Sequence, residues 1–527
     1  MRTTRDATIV SRDDERGRYR TLRLAPGEEW VARSLDGSAA SLPVEGHPLV
    51  ALVHLSDTHV MDAQSPARVE FLDRFLDVAV QDEGRTYRPQ EVVTTQVLDA
   101  LVRAVRATER GPFTQRALDV ALLTGDATDS AQANELQWLA DVLDGADVTP
   151  DSGDPARYEG VGSAEWDDPA YWNPEAPPAV ATLTAPGFPV VPGFPVVPGF
   201  HAAARRAFRA HGMPVPWLAV YGNHDGLVQG TLPVSDATSA HAVGGIKPRL
   251  AAPGTDPQAA RDLLDGVLDE RTLAVVAGAT SVSVTPDARR RHLTRAEHIA
   301  WHLDRGGHGL TEANRASGTA YYRHSLGEID LVVLDTVNEH GGWQGSLDAP
   351  QWEWLHAELV DADTSGTPVL IASHHTSADL VNGDHPAGSP RRVLSEELLA
   401  ELHRHPCVIG WLNGHTHTTR ITGHPGPAGG FWEVTAPSLI DWPQQARIVE
   451  VVRTESGFAI ATTMLDHAAP PAWARDLPDT LALAALSREL AANSWGVPSE
   501  SAPDPGTHPR RGTLRDRNAV LVVERPG

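Results

Sequence analysis

Cysteine is almost missing from this chain: Cys407 is the only one in 527 residues. No internal disulfide can form, which removes the stapled secreted class and any cysteine-built zinc module. Lysine is equally scarce. Lys247 is alone among 44 basic residues, a bias better matched to a GC-rich coding sequence than to 43 arginines selected singly. Positive charge as a whole is short, with 44 Lys and Arg against 69 Asp and Glu, a net −25, and no basic run compensates locally. A duplex nucleic-acid partner is therefore not expected, because counterion release needs a cationic face. Long apolar runs are missing too. The one long uncharged stretch, 176–204, contains seven prolines, which no membrane-spanning helix tolerates. The segment 1–14 is polar and charged and does not read as a signal peptide, so a cytoplasmic location is expected.

What remains is a globular composition, 41% hydrophobic and 21% charged, in a chain long enough for three or four domains or one large elaborated one. The 24 histidines beside one cysteine mean that any metal site must be made of imidazole and carboxylate. Short apolar, β-branched runs predict six strands, at 49–55, 118–123, 215–221, 329–334, 368–372 and 408–412. Most are near-continuous, as suits strands covered on both faces. Between them, 91–109, 131–143, 349–360 and 392–403 place apolar residues at three- and four-residue steps. The alternation predicts an α/β fold. Three later runs, 431–434, 447–452 and 458–463, follow one another without a helix and predict antiparallel strands, hence a mixed architecture.

The expected organisation is an N-terminal extension over 1–47, a catalytic domain over 48–465 and a C-terminal extension over 466–527. Two segments interrupt the alternation as insertions, about 145–200 and 227–319. The first contains Pro-Gly-Phe-Pro-Val-Val twice in tandem, at 186–191 and 192–197, too short for a folding repeat. It reads as a slippage duplication in a surface loop, or else as a proline-stiffened lid. The tail holds one helical stretch, 480–493, and a Pro/Gly/Ser-rich segment, 497–512, and is expected to pack loosely.

Chemistry-bearing residues fall where predicted strands end. Asp57 and His59 follow the first, Gly125-Asp126 with Asp129 the second, and Gly222-Asn223-His224-Asp225 the third. His374-His375 and Gly414-His415-Thr416-His417 follow the last two. In open α/β sheets ligands bind beyond the carboxyl ends of the strands, so the five clusters should converge. One residue apart in an extended segment, Asp57 and His59 point the same way and chelate one ion; His415 and His417 repeat the arrangement. Asp126 has two oxygens with which to bridge cations, Asn223 offers an amide oxygen and His374 another imidazole. Together these donors suffice for two ions about 3.5–4 Å apart, the arrangement that clamps attacking and leaving oxygens in an in-line displacement.

In this order the clusters resemble the calcineurin-like metallophosphoesterase superfamily, whose pattern is Asp-x-His, Gly-Asp-x-x-Asp, Gly-Asn-His-Asp/Glu, a lone His and Gly-His-x-His. The match runs over about 49–464, and the two insertions account for long gaps of 97 residues between Asp126 and Asn223 and 151 between Asn223 and His374. The resemblance implies a four-layer α/β/β/α sandwich of two mixed sheets with large loop insertions. It implies two divalent ions, Mn, Fe or Zn. Asp57, His59, Asp126 and His417 would hold the first; Asp126, Asn223, His374 and His415 the second. It also implies a bridging water or hydroxide as nucleophile, His224 as general acid, and Asp225 orienting His224 through a hydrogen bond. No tyrosine follows Asp126 until Tyr158, which disfavours the iron-containing purple type.

Alternatives stand beside these assignments. His375 follows the same strand as His374, and Asp129 reads as a helix N-cap or turn residue. Asp335 sits at a strand end, where it lines the site or caps a loop. Asp62 and Arg68 lie near enough to face substrate, though a position away from it is favoured, and His54 reads as packed inside its strand. The function expected is hydrolysis of a small phosphate ester, as a phosphodiesterase or, alternatively, a phosphomonoesterase. A charge of −25 disfavours polymeric nucleic acid as substrate. A non-catalytic scaffold of the same fold is the reading from another class; such descendants lose ligands, and here none is missing.

Overall fold

The computed structural model describes residues 3–11, 19–37, 40–42, 45–75, 86–163, 165–166, 168, 170–176, 194–427, 429–494 and 509–525. Thirteen strands form two sheets. In chain order they are β1 (Val31–Ser34), β2 (His47–Leu55), β3 (Val120–Leu123), β4 (Trp217–Ala219), β5 (Tyr322–Ser325), β6 (Asp330–Val333) and β7 (Val369–Ala372). The rest are β8 (Val408–Asn413), β9 (Arg420–His424), β10 (Phe431–Thr435), β11 (Gln445–Thr454), β12 (Gly457–Asp466) and β13 (Ala519–Glu524). The seven-stranded sheet runs β1-β13-β12-β11-β2-β3-β4 and the six-stranded one β5-β6-β7-β8-β10-β9. Both are mixed: β2, β3 and β4 are mutually parallel, as are β6, β7, β8 and β10, and β1 is parallel to β13, while the remaining pairs run antiparallel.

Strand alternation sets the layers. Along β2, Ala51, Val53 and Leu55 pack towards helices, while Val50 and Leu52 face the other sheet. Along β7, Leu370 and Ala372 join that inter-sheet core, while Val369 and Ile371 turn outward to a second helical layer. The period-two alternation thus divides apolar side chains among three cores, giving the expected four-layer α/β/β/α sandwich. Helices α1 (Thr94–Thr108), α2 (Ala133–Asp144) and α5 (Thr480–Ala491) cover the first sheet; α3 (Ala349–Ser365) and α4 (Ser395–Leu402) cover the second. The sequence dictates α3's ends. The Asp348 carboxylate accepts the Gln351 N–H, Pro350 lies in the first turn, and Gly366 at φ 69° closes the helix.

Three expectations change. Of the late runs, β10 pairs parallel to β8 and antiparallel to β9, while β11 and β12 form a hairpin in the other sheet; three consecutive runs therefore serve two sheets. The tail does not pack loosely. The run Ala519-Val520-Leu521-Val522-Val523 becomes β13, an inner strand between β12 and β1, and α5 packs against α1. The segment 227–319 is not a bare loop but folds into short helices and a two-stranded ribbon, Ile246–Leu250 with Thr280–Ser283. The first hexad copy and 495–508 lie outside the described residues; from the second copy, Phe194 and Val197 bury against Trp172 and Phe200. Among the described residues no helix is long and apolar enough to cross a membrane.

Candidate metal centre

The carboxyl ends of β2, β3, β4, β7 and β8 open on one crevice, and the five clusters meet there. Backbone bonds tie them together: Asp57 N–H donates to Gly125 O and His59 N–H to Asp126 O, both at 3.0 Å. Gly414 N–H donates to His374 O at 3.0 Å, His415 N–H to Asp57 Oδ2 at 3.1 Å and His224 N–H to Asp126 Oδ1 at 2.8 Å. Gly125, at φ +88°, is required by proximity, since a Cβ there would lie 2.5 Å from His374 Nδ1.

Convergence of the i, i+2 pairs has a cause other than the extended geometry expected. Asp57, His59, Asp126, His415 and His417 all have positive φ, between 40° and 67°. Left-handed backbone is costly for residues with a Cβ and concentrates at functional sites. The turns after the strands, not the pleat of the strands, bring these side chains onto one point.

Hydrogen bonds on the outer side of each ring fix which atom faces inward. His59 Nδ1 meets Asp129 Oδ1 at 3.1 Å, His417 Nδ1 meets Asp441 Oδ2 at 2.6 Å, and His374 Nδ1 donates to Thr124 O at 2.8 Å. Each leaves its Nε2 pointing into the crevice. There His59 Nε2 and His417 Nε2 lie 3.2 Å apart, His417 Nε2 is 3.2 Å from Asp57 Oδ1, and His374 Nε2 is 3.2 Å from Asp126 Oδ2. His415 is the exception, bringing Nδ1 to 3.1 Å from His374 Nε2. The Asn223 amide is oriented by its NH2 donating to Gly230 O at 2.9 Å. Asp57 Oδ1 and Asn223 Oδ1 are both buried without a hydrogen bond. Buried oxygens without a hydrogen bond, set among inward-facing imidazole nitrogens, are the donor set that divalent cations take. The sets Asp57/His59/His417 and Asp57/Asp126/His374 each place their donor atoms within 4.8 Å of one another. The residues present therefore fit a pair of divalent ions.

The electrostatics agree. Burial alone would raise the Asp126 carboxyl, but the His374, His224 and His59 imidazoles hold it well below the usual range. Burial alone would lower His374, and Asp126 overrides it, raising the imidazole to about 9. His375 is pushed down to about 3 by burial and by His374. Both its ring nitrogens are engaged, with Thr336 Oγ1 at 2.7 Å and Trp343 O at 2.9 Å. The inward-facing imidazole of the pair is thus His374.

Asp225 departs from its expected position. Its Oδ1 accepts from Thr128 N and Oγ1, and its Oδ2 from Gly222 N; burial and Asp126 raise it to about 6. It braces the turn, and the partner of the His224 ring is instead Asp129 O, 2.6 Å from Nδ1. Asp129 is not a helix N-cap either, since Gln132 holds that position. Its carboxylate lies between His59, Arg68 and Gln229. Arg68 and Asp62 do not face substrate: Arg68 is buried among Glu70, Glu91 and Asp129, and Asp62 pairs with Arg290. Asp335 caps Val337 N and pairs with Arg295, while His54 is packed within β2 beside Thr124.

Sequence reasoning missed Asp441, which carries Arg88 and Arg510 as well as His417. Its available signal was a lone carboxylate in the apolar stretch Leu439-Ile440-Asp441-Trp442 shortly after a strand. Arg510, from the tail, had none.

No family model matches the chain. It is similar to the manganese-dependent ADP-ribose/CDP-alcohol diphosphatases of Xenopus laevis, 27% identical over 108 residues, and Xenopus tropicalis, 29% identical over 125. These matches take in 20% and 23% of this chain and 28% and 31% of the relatives, so less than a third of their length is spanned. Among solved structures, a dimetal phosphatase from Danio rerio aligns at TM-score 0.36 and 13% identity, covering 80% of this chain and 97% of its own. The calcineurin-like phosphoesterase YfkN from Bacillus subtilis aligns at 0.24 and 10%, covering 85% and 99%. Five motifs in order converge at one crevice between two mixed sheets, the arrangement expected from the resemblance to calcineurin-like metallophosphoesterases, and over part of its length the chain is similar to these curated diphosphatases.

Proposed function

We propose that this protein hydrolyses a small phosphate ester at a dinuclear metal centre, with a phosphodiester or diphosphate linkage as the preferred bond. The observation that carries the reading is the pair of buried oxygens without a hydrogen bond, Asp57 Oδ1 and Asn223 Oδ1, together with the inward Nε2 atoms of His417 and His374, each 3.2 Å from an aspartate oxygen. Asp57, His59, Asp126 and His417 would hold one ion, and Asp126, Asn223, His374 and His415 the other. Two such ions supply Lewis acidity and a water acidified enough to attack phosphorus near neutral pH. Asp126 is suited to bridging because its Oδ2 faces both His374 and His59 while its Oδ1 is held by the His224 N–H. His224 supplies the proton. Its Nδ1–H is committed to Asp129 O, so in the doubly protonated ring Nε2–H would be the group that gives its proton to the leaving oxygen, leaving the neutral Nδ1–H imidazole behind. Its ring lies 4.6 Å from that of His59, and about a quarter of its side chain is exposed, placing it at the mouth of the crevice.

The diphosphate preference draws on the activity for which the Xenopus relatives are named; a phosphomonoesterase is the alternative. The deciding experiment measures metal content of the purified protein and its turnover of bis-p-nitrophenyl phosphate, p-nitrophenyl phosphate and ADP-ribose with Mn2+. About two metals per chain, with diester or diphosphate cleavage lost in His224→Ala, supports the reading. Faster monoester cleavage moves the assignment to a phosphomonoesterase, and an inactive protein that binds no metal overturns it.

A further inference from the structure

We propose that His356, Glu401 and His405 form a third metal site, for a borderline divalent cation of the zinc type, that clips α3 to α4. His356 lies on α3, Glu401 on α4 and His405 in the turn after it. Donor atoms of the three lie within 4.8 Å of one another. Glu401 Oε1 is 2.5 Å from His356 Nδ1 and 3.3 Å from His405 Nε2, and Oε2 is held by Arg404 at 2.6 Å. The second distance is about the edge of a tetrahedron with metal–ligand bonds near 2.0–2.1 Å. His356 is 59% exposed and so has room to widen the first contact.

The hydrogen bonding argues for a cation. The Glu401 side chain is 3% exposed, and Arg404 compensates its Oε2, while Oε1 faces the two imidazoles. His405 Nδ1 faces Asp363 Oδ2 at 2.7 Å, and Asp363 is itself anchored by the Cys407 N–H at 2.9 Å. With Nδ1–H given to Asp363, a neutral His405 turns the Nε2 lone pair on the Glu401 carboxylate. Two lone pairs at that distance repel unless a cation or an extra proton lies between them. Carboxylate, imidazole and inward lone pair in line are the pattern that orients a zinc ligand. Two nitrogens and one oxygen suit zinc-like ions with water in the fourth position, and they disfavour calcium or magnesium, which favour oxygen. Cys407 stays out of the donor set, its thiol donating to Leu359 O.

This cluster is separate from the catalytic crevice. His405 precedes β8 and His415 follows it, and six strand residues span about 20 Å. The test therefore does not depend on the proposed activity. Equilibrium dialysis of the full-length protein against Zn2+ alone should give about three ions per chain, falling to two in His356→Ala and in His405→Gln. In Asp126→Asn, where the dinuclear centre is broken, one ion should remain and zinc should still raise Tm. Asp363→Asn should bind that last ion about 10–100-fold more weakly. Because His356 is exposed, its alanine variant keeps its fold, as circular dichroism would record. Equal zinc stoichiometry and equal zinc-induced Tm shifts in wild type and His356→Ala would overturn the proposal, leaving the cluster held by a proton.

Discussion

Among the described residues two groups of buried imidazoles contrast, one in the crevice and one beside β4, and of this pair the first resembles a metal centre. In the crevice, His59 and His417 each give Nδ1 to an aspartate, and His374 gives its own to a carbonyl. In the other group, beside β4, the rings bond to one another: His298 Nε2 meets His302 Nε2 at 3.0 Å, and His302 Nδ1 meets His308 Nδ1 at 2.9 Å. His308 stacks on Trp217 with centroids 3.5 Å apart, and His298 packs edge-on to Tyr221. Burial pushes His298 down to about 3 and His308 to about 4. The difference is in the outer partner. A carboxylate or carbonyl behind the ring aims a lone pair forward and makes it more basic; an imidazole or indole behind it only keeps the ring neutral and packed.

The largest way to break the contrast is to remove the carboxylate both ions would share. Asp126→Ala should abolish phosphoesterase turnover and empty the dinuclear centre by elemental analysis, whereas His302→Gln, from the packed group, should leave metal content and kcat near wild type. Next in size is the acid at the mouth. His224→Ala should lower kcat by about 10²–10⁴-fold with metal content retained. Gly230→Ala should approach the same loss by crowding, since a Cβ at φ +71° would lie 2.3 Å from His224 Nε2 and 2.6 Å from Asn223 Nδ2. An active Gly230→Ala enzyme would mean that the 227–231 turn yields easily and that His224 is not held by it.

How far the sequence could be read follows the same division. The ligand series was legible because each motif is local and sits directly after an apolar run, so Asp57, Asp126, Asn223, His374 and the His415/His417 pair could be placed without tertiary knowledge. The parallel strands and α1–α4 were legible for the same reason, within a few residues at their ends. What supports the ligands was not legible. Asp441 and Arg510 meet His417 across 24 and 93 residues of chain, and no periodicity encodes such a meeting. Asp225 was misplaced because the family resemblance implied a bond to His224 that the turn geometry gives to Asp129 O. Strand β13 was legible as five consecutive apolar residues but was passed over as part of a proline-rich tail; the β-branched run was a better guide than its surroundings.

A sharper version of the comparison changes only the outer partner. Asp441→Asn keeps the size of the side chain behind His417 but removes its charge, so Mn2+ affinity should fall about 10–100-fold, read by metal titration, with some loss of stability because Arg88 and Arg510 lose a shared carboxylate. Asp129→Asn should act the same way through His59, with an added loss of stability because Arg68 is left buried with one carboxylate fewer. Unchanged metal affinity in both variants would mean that ring orientation is fixed by packing alone.

The packed group should show itself in acid. His298 faces His302, His308 and Tyr221 and is neutral when folded, with its value lowered to about 3 from an ordinary 6.5, chiefly by burial. Between those values the unfolded chain binds a proton that the folded chain does not, so stability is fully present above about pH 6.5 and declines as pH falls towards 3. At pH 5.5, one unit below the unfolded value, a single such histidine costs about 1.4 kcal/mol relative to neutral pH. In His298→Gln that contribution is removed. The stability advantage of wild type over the variant, from urea unfolding of the metal-free proteins, should therefore shrink by about 1.4 kcal/mol between pH 7.5 and 5.5. Metal-free protein is needed because acid also releases ions from the crevice, and that loss would hide the smaller effect. A gap that stays constant with pH would mean that water or a rearranged ring already accommodates the proton in the folded state, and the two histidine groups would then differ less than their hydrogen bonds imply.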